Sequence, residues 1–214
     1  MQFQDVINNR KTIRDFSTKK IDLSIVQKAI ENGFKAPTYN HLKEWHFLII
    51  DNANLKEKIT ETEEMYSILP DNIKASLSNY DEDARTMYLE AIPKQKRMII
   101  EAPYVITVAY KPKTRIEEAR RVYDLNCLAS VWCCIENFLL SLAENDIFGV
   151  TFVSKNTNCI RSVLNVPDTF EVASIIPIGY MKKNINLVKQ KDINIIEHIH
   201  MNKWDNTLLT IASS

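Results

Sequence analysis

Apolar residues recur at helical spacing near the start of the chain. The positions are Phe3, Val6 and Ile7 in a first group and Leu23, Val26, Ile30 and Phe34 in a second. The first group predicts a short helix that runs into Arg10. The second group predicts a helix over residues 22–36, capped by Asp22 or Ser24 and ended by Pro37, because proline cannot continue a helix.

Four later segments have the β-branched and aromatic composition of strands. They are residues 45–50, 103–110, 148–154 and 173–180. Residues 103–110 (PYVITVAY) are apolar without alternation, which predicts a central strand that is buried on both faces. Residues 55–65 predict a charged surface helix, and residues 157–167 predict a helix between the last two strands.

Residues 122–143 are apolar nearly all round, which predicts a buried helix. Its polar exceptions form one narrow stripe on that helix. They are Asn126, Ser130, Asn137 and Ser141. Residues 66–101 predict a helical cap, whereas residues 182–214 alternate apolar positions without a long helix and predict an extended arm that lies on another surface. No linker or repeat interrupts the pattern, so we expect a single α+β domain over residues 1–214.

The charge balance and the cysteine content exclude several functional classes. The chain carries 27 basic and 27 acidic residues, so no global field attracts a nucleic acid or an anionic membrane. No apolar run approaches the roughly 20 residues of a membrane span, and the N-terminus lacks the core of a signal peptide, so we expect a cytoplasmic protein. Four cysteines without a CxxC pair, and four histidines without ligand spacing, predict reduced, buried thiols and no metal site.

Residues 10–16 (RKTIRDF) hold a candidate anion site. In an extended segment Arg10, Thr12 and Arg14 point to one face at about 6 to 7 Å spacing, and a helix also brings Arg10 beside Arg14. Two guanidinium groups and a hydroxyl suit a phosphate monoester. Only three scattered glycines occur, so a bound phosphate must be held by side chains. The alternative is a solvated surface strand in which Asp15 neutralises an arginine.

Three segments carry a family resemblance. RKTIRDF is followed by a helix and by APTYNHLKEWHF, DLNCLASVWCCIENFLLSLA lies at the centre, and KQKDINIIEHIHMNKW lies near the end. In order and spacing they resemble the FMN-dependent nitroreductase family, whose members show R-R-S-x-R-x-F with A-P-S-x-x-N-x-Q-P-W-x-F, then D-x-A-x-A-x-Q-N-L-x-L-A, then R-K-P-L-E-E-x-V-H-x-N-K-W. Residues 51–102 have no matching motif.

The resemblance implies a nitroreductase-like fold, with a mixed, mainly antiparallel sheet flanked by helices and a homodimer whose C-terminal arms are exchanged. It implies FMN at the dimer interface. The matching cofactor contacts are Arg10, Lys11, Thr12 and Arg14 at the phosphate and ribityl chain, Pro37, Thr38, Tyr39 and Asn40 in a loop against the flavin of the other subunit, Asn137 and Ser154 near the ring, and Lys189 and Lys191 in the phosphate clamp. The alternative interpretation is that residues 37–40 form only a polar turn after a helix, and that Lys189 and Lys191 are solvated surface lysines.

No catalytic triad or paired carboxylates occur, which suits an enzyme whose cofactor carries the chemistry. The resemblance implies ping-pong transfer of hydride from NADH or NADPH through flavin N5 to a nitroaromatic, a quinone or a similar small-molecule acceptor. Alternatives on the same fold are reductive dehalogenation, flavin-consuming synthesis of dimethylbenzimidazole, and a dimer that stores or senses flavin or has lost it. The last alternative is motivated by His41, Lys43 and Glu44, which replace the family's Asn, Gln and Pro.

Overall fold

The architecture comes from a computed structural model, which describes residues 2–66, 68–204 and 207. The helices and strands are α1 (Phe3–Asn9), α2 (Leu23–Gly33), β1 (Trp45–Ile50), α3 (Ala53–Ile59), α4 (Asp71–Ser76), α5 (Glu82–Ala91), α6 (Gln95–Glu101), β2 (Tyr104–Tyr110), α7 (Asn126–Ala143), β3 (Ile147–Gly149), α8 (Thr157–Val163) and β4 (Glu171–Tyr180). The predicted cap at the start of α2 is present, because the Asp22 side chain accepts a hydrogen bond from the Ser24 N–H.

The four strands form one antiparallel sheet in the order β1-β2-β4-β3. β2 lies between two neighbours and is buried from Val105 to Tyr110, as its unbroken apolar character predicts. An isolated parallel bridge joins Thr12 to Gly149 and adds the N-terminal segment to the sheet edge. The mixed, mainly antiparallel α+β fold is therefore confirmed.

The third strand was predicted over residues 148–154, but β3 spans only Ile147–Gly149. β3 pairs with β4 as far as Gly149 opposite Ile178, and the pairing resumes at a single bridge between Phe152 and Ile175. The same register places Val150 opposite Pro177, which has no N–H to donate to the ladder. Proline inside a central strand therefore interrupts the edge strand beside it.

Two hydrophobic clusters cover the two faces of the sheet. One contains α2 and α7 and takes Ile106 from β2 and Ile176 from β4. The other contains the N-terminal segment with α3, α6 and α8, and it takes Val105 and Ile175 from the same two strands. Adjacent residues of a strand point to opposite faces, so the two central strands supply both clusters.

The predicted central helix is present as α7, preceded by a short 3₁₀ turn at Val122–Leu125. The Val122–Ala143 segment is long and apolar enough to cross a membrane by length and composition alone. However, α7 buries residues such as Val131, Ile135 and Phe138 in the core beside α2, as the central helix of a folded domain does. One residue of the polar stripe, Ser141, contributes to this packing, because its hydroxyl accepts a hydrogen bond from the Asn32 amide on α2.

Two predictions need correction, one about the helix at residues 55–65 and one about the cysteines. The helix expected over residues 55–65 ends at Ile59, where the hydroxyl of Thr60 hydrogen-bonds the carbonyl oxygens of Lys56 and Glu57. The four thiols were all expected to be buried, but Cys133 is exposed on the outer face of α7 and Cys159 is half-buried. Periodicity on a nearly uniform apolar helix does not reveal which side faces outward.

Over the described residues 182–204, the C-terminal segment is irregular apart from a 3₁₀ turn at Ile195–His198, and an isolated bridge joins His200 to Thr207. Several of its large apolar side chains are exposed, and Trp204 is 81% exposed. The predicted exchange of this arm in a dimer stays a prediction. The part of the predicted arm at residues 205, 206 and 208–214 lies outside the described residues.

Candidate functional site

A cavity of about 510 Å³ lies between the N-terminal segment, α5 and the C-terminal segment. We call it the cationic cavity, after the five basic residues in its wall. They are Arg10, Lys11, Arg14, Lys189 and Lys191. The structure therefore brings together two groups of residues predicted from the sequence, one near the start of the chain and one near its end.

The N-terminal segment is held in place by its apolar residues. Ile13 is fully buried and Phe16 is nearly so, and both belong to the core cluster on one face of the sheet. The bridge from Thr12 to Gly149 and the bridge from Phe16 to Met181 set its register along the sheet edge. With Ile13 buried, Thr12 and Arg14 line the cavity as the alternation of an extended segment predicts. Lys11 and Asp15 line it too, which alternation does not predict.

Carboxylates of the cap neutralise part of this positive charge. Arg14 donates a hydrogen bond to Glu90 at 3.0 Å, and Lys191 donates one to Asp81 at 3.0 Å. Both carboxylates belong to α5, with Asp81 at its N-cap and Glu90 near its end. The N–H of Ala84 and the Lys191 ammonium lower the pKa of Asp81, so this carboxylate is ionised at neutral pH.

Arg10 and Thr12 differ from Arg14 in this respect. Among the described residues, neither the Arg10 guanidinium nor the Thr12 hydroxyl has a hydrogen-bond partner or an ion pair. Lys11 has no carboxylate partner in that part of the chain either, and its ammonium lies 5.2 Å from the centre of the Phe148 ring. These side chains supply uncompensated positive charge and donors to an anion in the cavity.

A smaller pocket of about 160 Å³ continues the site toward α7. It shares Arg10 and Thr12 with the cationic cavity. Its other lining residues are Trp132, Ile135, Glu136, Leu139, Gly149, Val150 and Thr151. A cation-rich cavity that adjoins a largely apolar face of α7 fits a ligand with a phosphate at one end and a flat ring system at the other, so these residues fit FMN.

The loop predicted to contact a flavin lies elsewhere in the protomer. Pro37, Thr38, Tyr39 and Asn40 do not line the cationic cavity. Thr38 donates to the Leu42 carbonyl at 2.6 Å, and the Tyr39 N–H donates to Ser130 on α7 at 2.9 Å. The expected contact across a dimer interface stays a prediction for these residues.

The three departures from the family motif have local roles in this structure. Lys43 donates to the carbonyl of Phe34 at the end of α2, at 2.5 Å. Glu44 lies 3.8 Å from the ammonium of Lys111. His41 has a φ of 56°, in the left-handed region, and it belongs to the tight turn before β1.

Two predicted ring contacts are also outside the cationic cavity. Asn137 does not line it, and Ser154 is buried and donates to Glu63 at 2.6 Å. Thr151, three residues before Ser154, is the polar side chain of this segment that lines the smaller pocket. The contacts of Asn137 and Ser154 with a flavin stay predictions.

Sequence reasoning missed the contribution of α5. Asp81, Asp83, Ala84, Met87 and Glu90 all line the cationic cavity, although residues 66–101 showed no motif. The available signal was the run of three acidic residues at positions 81–83, at the start of this helix, and Glu90 two turns later. Acidic residues in a first turn are common on any helix, so this pattern alone does not indicate a site.

The fold and the cavity define an α+β protein with a cavity rich in basic side chains and a central apolar helix. A family model described as the nitroreductase family matches residues 7–180. The match covers most of the chain, so this chain belongs to the nitroreductase family.

Relatives and solved structures agree with this assignment. An iodotyrosine deiodinase of Thermotoga neapolitana is 24% identical over 177 residues, which cover 82% of this chain and 87% of that protein. A crystal structure of oxidised iodotyrosine deiodinase bound to FMN and 3-iodo-L-tyrosine has a TM-score of 0.68 and 21% identity, covering 90% of this chain and 96% of that one. An FMN-dependent nitroreductase from Clostridium difficile R20291 has a TM-score of 0.63 and 16% identity, covering 92% and 98%.

Proposed function

We propose that this protein is an FMN-dependent oxidoreductase that passes two electrons from NADH or NADPH to a small electron-poor acceptor, such as a quinone or a nitroaromatic compound. The observation that carries this proposal is the convergence of Arg10, Thr12 and Arg14 with Lys189 and Lys191 on one cavity. FMN, when bound, would supply the two-electron redox chemistry. The balance for a quinone is one NADH and one proton consumed, with hydroquinone and NAD⁺ formed.

The role of the chain itself is to bind and to orient. Arg10, Lys189 and Lys191 would hold the phosphate, and the Thr12 hydroxyl would donate a hydrogen bond to it. The apolar face of α7 around Trp132 would exclude water from one side of the ring system. Such a site needs no catalytic side chain, in keeping with the absence of a nucleophile or base motif in the sequence.

The proposal includes a homodimer. Val122, just before α7, is 85% exposed, and Ala129 and Cys133 on α7 are also exposed. The C-terminal segment adds exposed Ile195, Ile196, Ile199 and Trp204. Exposed apolar side chains beside α7 and in the C-terminal segment favour burial against a second subunit.

A second candidate is reductive dehalogenation of a halogenated aromatic compound. It is favoured by the 24% identical relative and by the structural neighbour that binds FMN with 3-iodo-L-tyrosine. In this reaction the carbon–iodine bond breaks, iodide leaves, and the carbon gains hydrogen. One NADH supplies both electrons and the hydrogen equivalent, and the products are the dehalogenated compound, iodide and NAD⁺.

Anaerobic spectroscopy of the FMN-loaded protein tests the proposal. We expect NADH or NADPH to bleach the visible flavin absorbance, and a quinone or 4-nitrobenzoate to restore it. Recovery with 3-iodo-L-tyrosine together with release of iodide would favour the dehalogenase instead. A protein that retains no FMN contradicts the reductase and leaves the alternative of a dimer that has lost its flavin. A protein whose bound FMN is bleached by neither nucleotide also contradicts the reductase and leaves the sensor or storage alternative.

A further inference from the structure

A second crevice, of about 210 Å³, lies at the N-terminal end of α7, where Asn126 and Cys127 line it, and it shares no lining residue with the smaller pocket described above. We call it the tyrosine crevice. It is lined by Tyr39, Lys113, Thr114, Arg121, Tyr123, Asp124, Asn126 and Cys127. It is formed where the loop after α2 meets the segment before α7, and the proposed binding of FMN phosphate leaves it unexplained.

Two phenol groups meet inside this crevice. The hydroxyls of Tyr39 and Tyr123 are 2.6 Å apart, and the rings meet edge to face. The Lys113 ammonium donates to the Tyr39 hydroxyl at 3.3 Å and lies 5.7 Å from the centre of each ring. When Tyr123 and Lys113 both donate to the Tyr39 oxygen, Tyr39 keeps its own hydrogen for a ligand.

The two cations of the crevice are not equivalent. Arg121 pairs with Asp124 at 3.1 Å, and Asp124 also accepts from the backbone N–H groups of Arg120 and Arg121. Lys113 has no carboxylate within ion-pair distance among residues 2–66, 68–204 and 207. Its positive charge is therefore compensated only by phenol oxygens, which are weak partners for an ammonium.

The electrostatics of the pair agree with this geometry. The hydrogen bond from Tyr123 and the nearby Lys113 lower the pKa of the Tyr39 hydroxyl, and the same contact raises the pKa of Tyr123. A phenol whose ionisation is favoured is also a stronger hydrogen-bond donor. Tyr39 and Lys113 thus present a donor and a positive charge side by side.

We propose that the tyrosine crevice binds the carboxylate of an aromatic acceptor. One uncompensated ammonium matches a monoanion better than a phosphate dianion, and the two rings provide apolar contact for an aromatic ring. A volume of about 210 Å³ is below the roughly 300 Å³ at which drug-sized sites begin, so the crevice accommodates one end of a ligand.

This inference rests on the proposed function for its identification of the ligand as an acceptor. Tyr39 belongs to the Pro37–Asn40 loop, which the family resemblance places against the flavin of the other subunit. A carboxylate held by Tyr39 and Lys113 would then direct the rest of an aromatic acceptor toward that flavin. The crevice therefore selects anionic electron-poor aromatics over neutral ones of the same shape.

The test uses the FMN-loaded protein and two acceptors that differ in charge, 4-nitrobenzoate and 4-nitrobenzamide. We expect kcat/KM for the carboxylate to exceed that for the amide roughly five- to tenfold, which is less than a charge-assisted hydrogen bond gives in a buried site because Lys113 is exposed to solvent. Lys113→Met should bring this ratio close to one, and Tyr39→Phe should lower it in part. Lys111→Met, two residues earlier on the surface, is the matched control and should keep the wild-type ratio.

A turnover-independent measurement separates this inference from the proposed function. Benzoate is titrated into the same FMN-loaded proteins by calorimetry, which requires no reduction. Weaker binding to Lys113→Met than to Lys111→Met supports the crevice even if neither nitro compound is reduced. Equal benzoate binding by wild type and Lys113→Met, or an unchanged acceptor ratio in that variant, overturns the inference and leaves the FMN assignment intact.

Discussion

The guanidinium of Arg14 and the carboxylate of Glu90 form an ion pair 3.0 Å long across the wall of the cationic cavity. Their side chains are 17% and 23% exposed, so solvent screens the pair only in part. Glu90 also pairs with Lys94, which contacts Asp15 in turn. Burial lowers the pKa of Lys94, but its hydrogen bonds to Asp15 and Glu90 outweigh that effect and raise it. Glu90 thus forms an ion pair with Arg14, one of the cations that we expect to contact a ligand phosphate.

Replacing this carboxylate should strengthen FMN binding. In Glu90→Gln the negative charge beside Arg14 is removed, so we expect FMN affinity to rise roughly three- to tenfold, with a loss of up to about 1 kcal/mol in the free energy of unfolding. Fluorescence titration of FMN against the apoprotein measures the affinity. Glu82→Gln, on the exposed first turn of the same helix, is the control. Weaker FMN binding in Glu90→Gln would mean that Glu90 instead holds Arg14 in its binding position.

Removing both arginines should have the opposite effect. Charge-assisted hydrogen bonds are each worth about 1.5 to 3 kcal/mol, so Arg10→Ala with Arg14→Ala should raise the dissociation constant of FMN by at least about a hundredfold. Dialysis followed by absorbance of the retained flavin measures the loss. Arg85→Ala, at an exposed position on α5, should remain yellow to the same extent as wild type. A double variant that also stays fully yellow would show that the phosphate is held elsewhere.

Gly149 lies where the N-terminal segment meets the sheet, and it has no room for a side chain. A Cβ at this position would lie 2.9 Å from the carbonyl oxygen of Pro177 and 3.0 Å from a methyl carbon of Ile178. Gly149→Ala should therefore lower the free energy of unfolding by about 1 to 3 kcal/mol, measured by urea denaturation. Because Gly149 bridges Thr12, FMN affinity should fall as well. A variant with wild-type stability would contradict the close packing.

Lys56 is a buried cation whose ammonium donates to the carbonyl of Ala102 at 2.6 Å and to that of Pro103 at 3.3 Å. Burial lowers the pKa of Lys56, and the nearby Asp51 only partly offsets this. Between the lowered pKa and about 10.4, the unfolded chain binds more protons at this residue than the folded chain, so its contribution to stability rises with pH in that window.

Chemical denaturation at a series of pH values tests whether the contribution of Lys56 to stability rises with pH. The difference in unfolding free energy between wild type and Lys56→Met should move in favour of wild type as pH rises toward about 10.4. Lys58→Met, at an exposed position on the same helix, should show no such trend relative to wild type. A difference that is constant with pH would mean that burial does not perturb Lys56.

Part of the candidate site could be predicted from the sequence, where a local pattern sets the direction of the side chains. In RKTIRDF, the buried Ile13 fixes which side chains face the cavity, and alternation then predicts the face shared by Thr12 and Arg14. The role of Lys189 and Lys191 came from the family resemblance, and the structure brings them to the same cavity. The acidic residues of α5 in the cavity wall could not be predicted, because the pattern of an amphipathic helix does not indicate which cavity its polar side will face.

The sequence by itself determined the α+β class, the central strand at residues 103–110 and the buried helix at residues 122–143. These properties follow from local periodicity and composition, which act within a few residues. Only the tertiary structure decided that β3 is interrupted opposite Pro177, that Glu90 pairs with Arg14, and that Lys113 meets Tyr39 and Tyr123. Each of these contacts joins residues far apart along the chain, and their distances depend on how the helices and the sheet pack together.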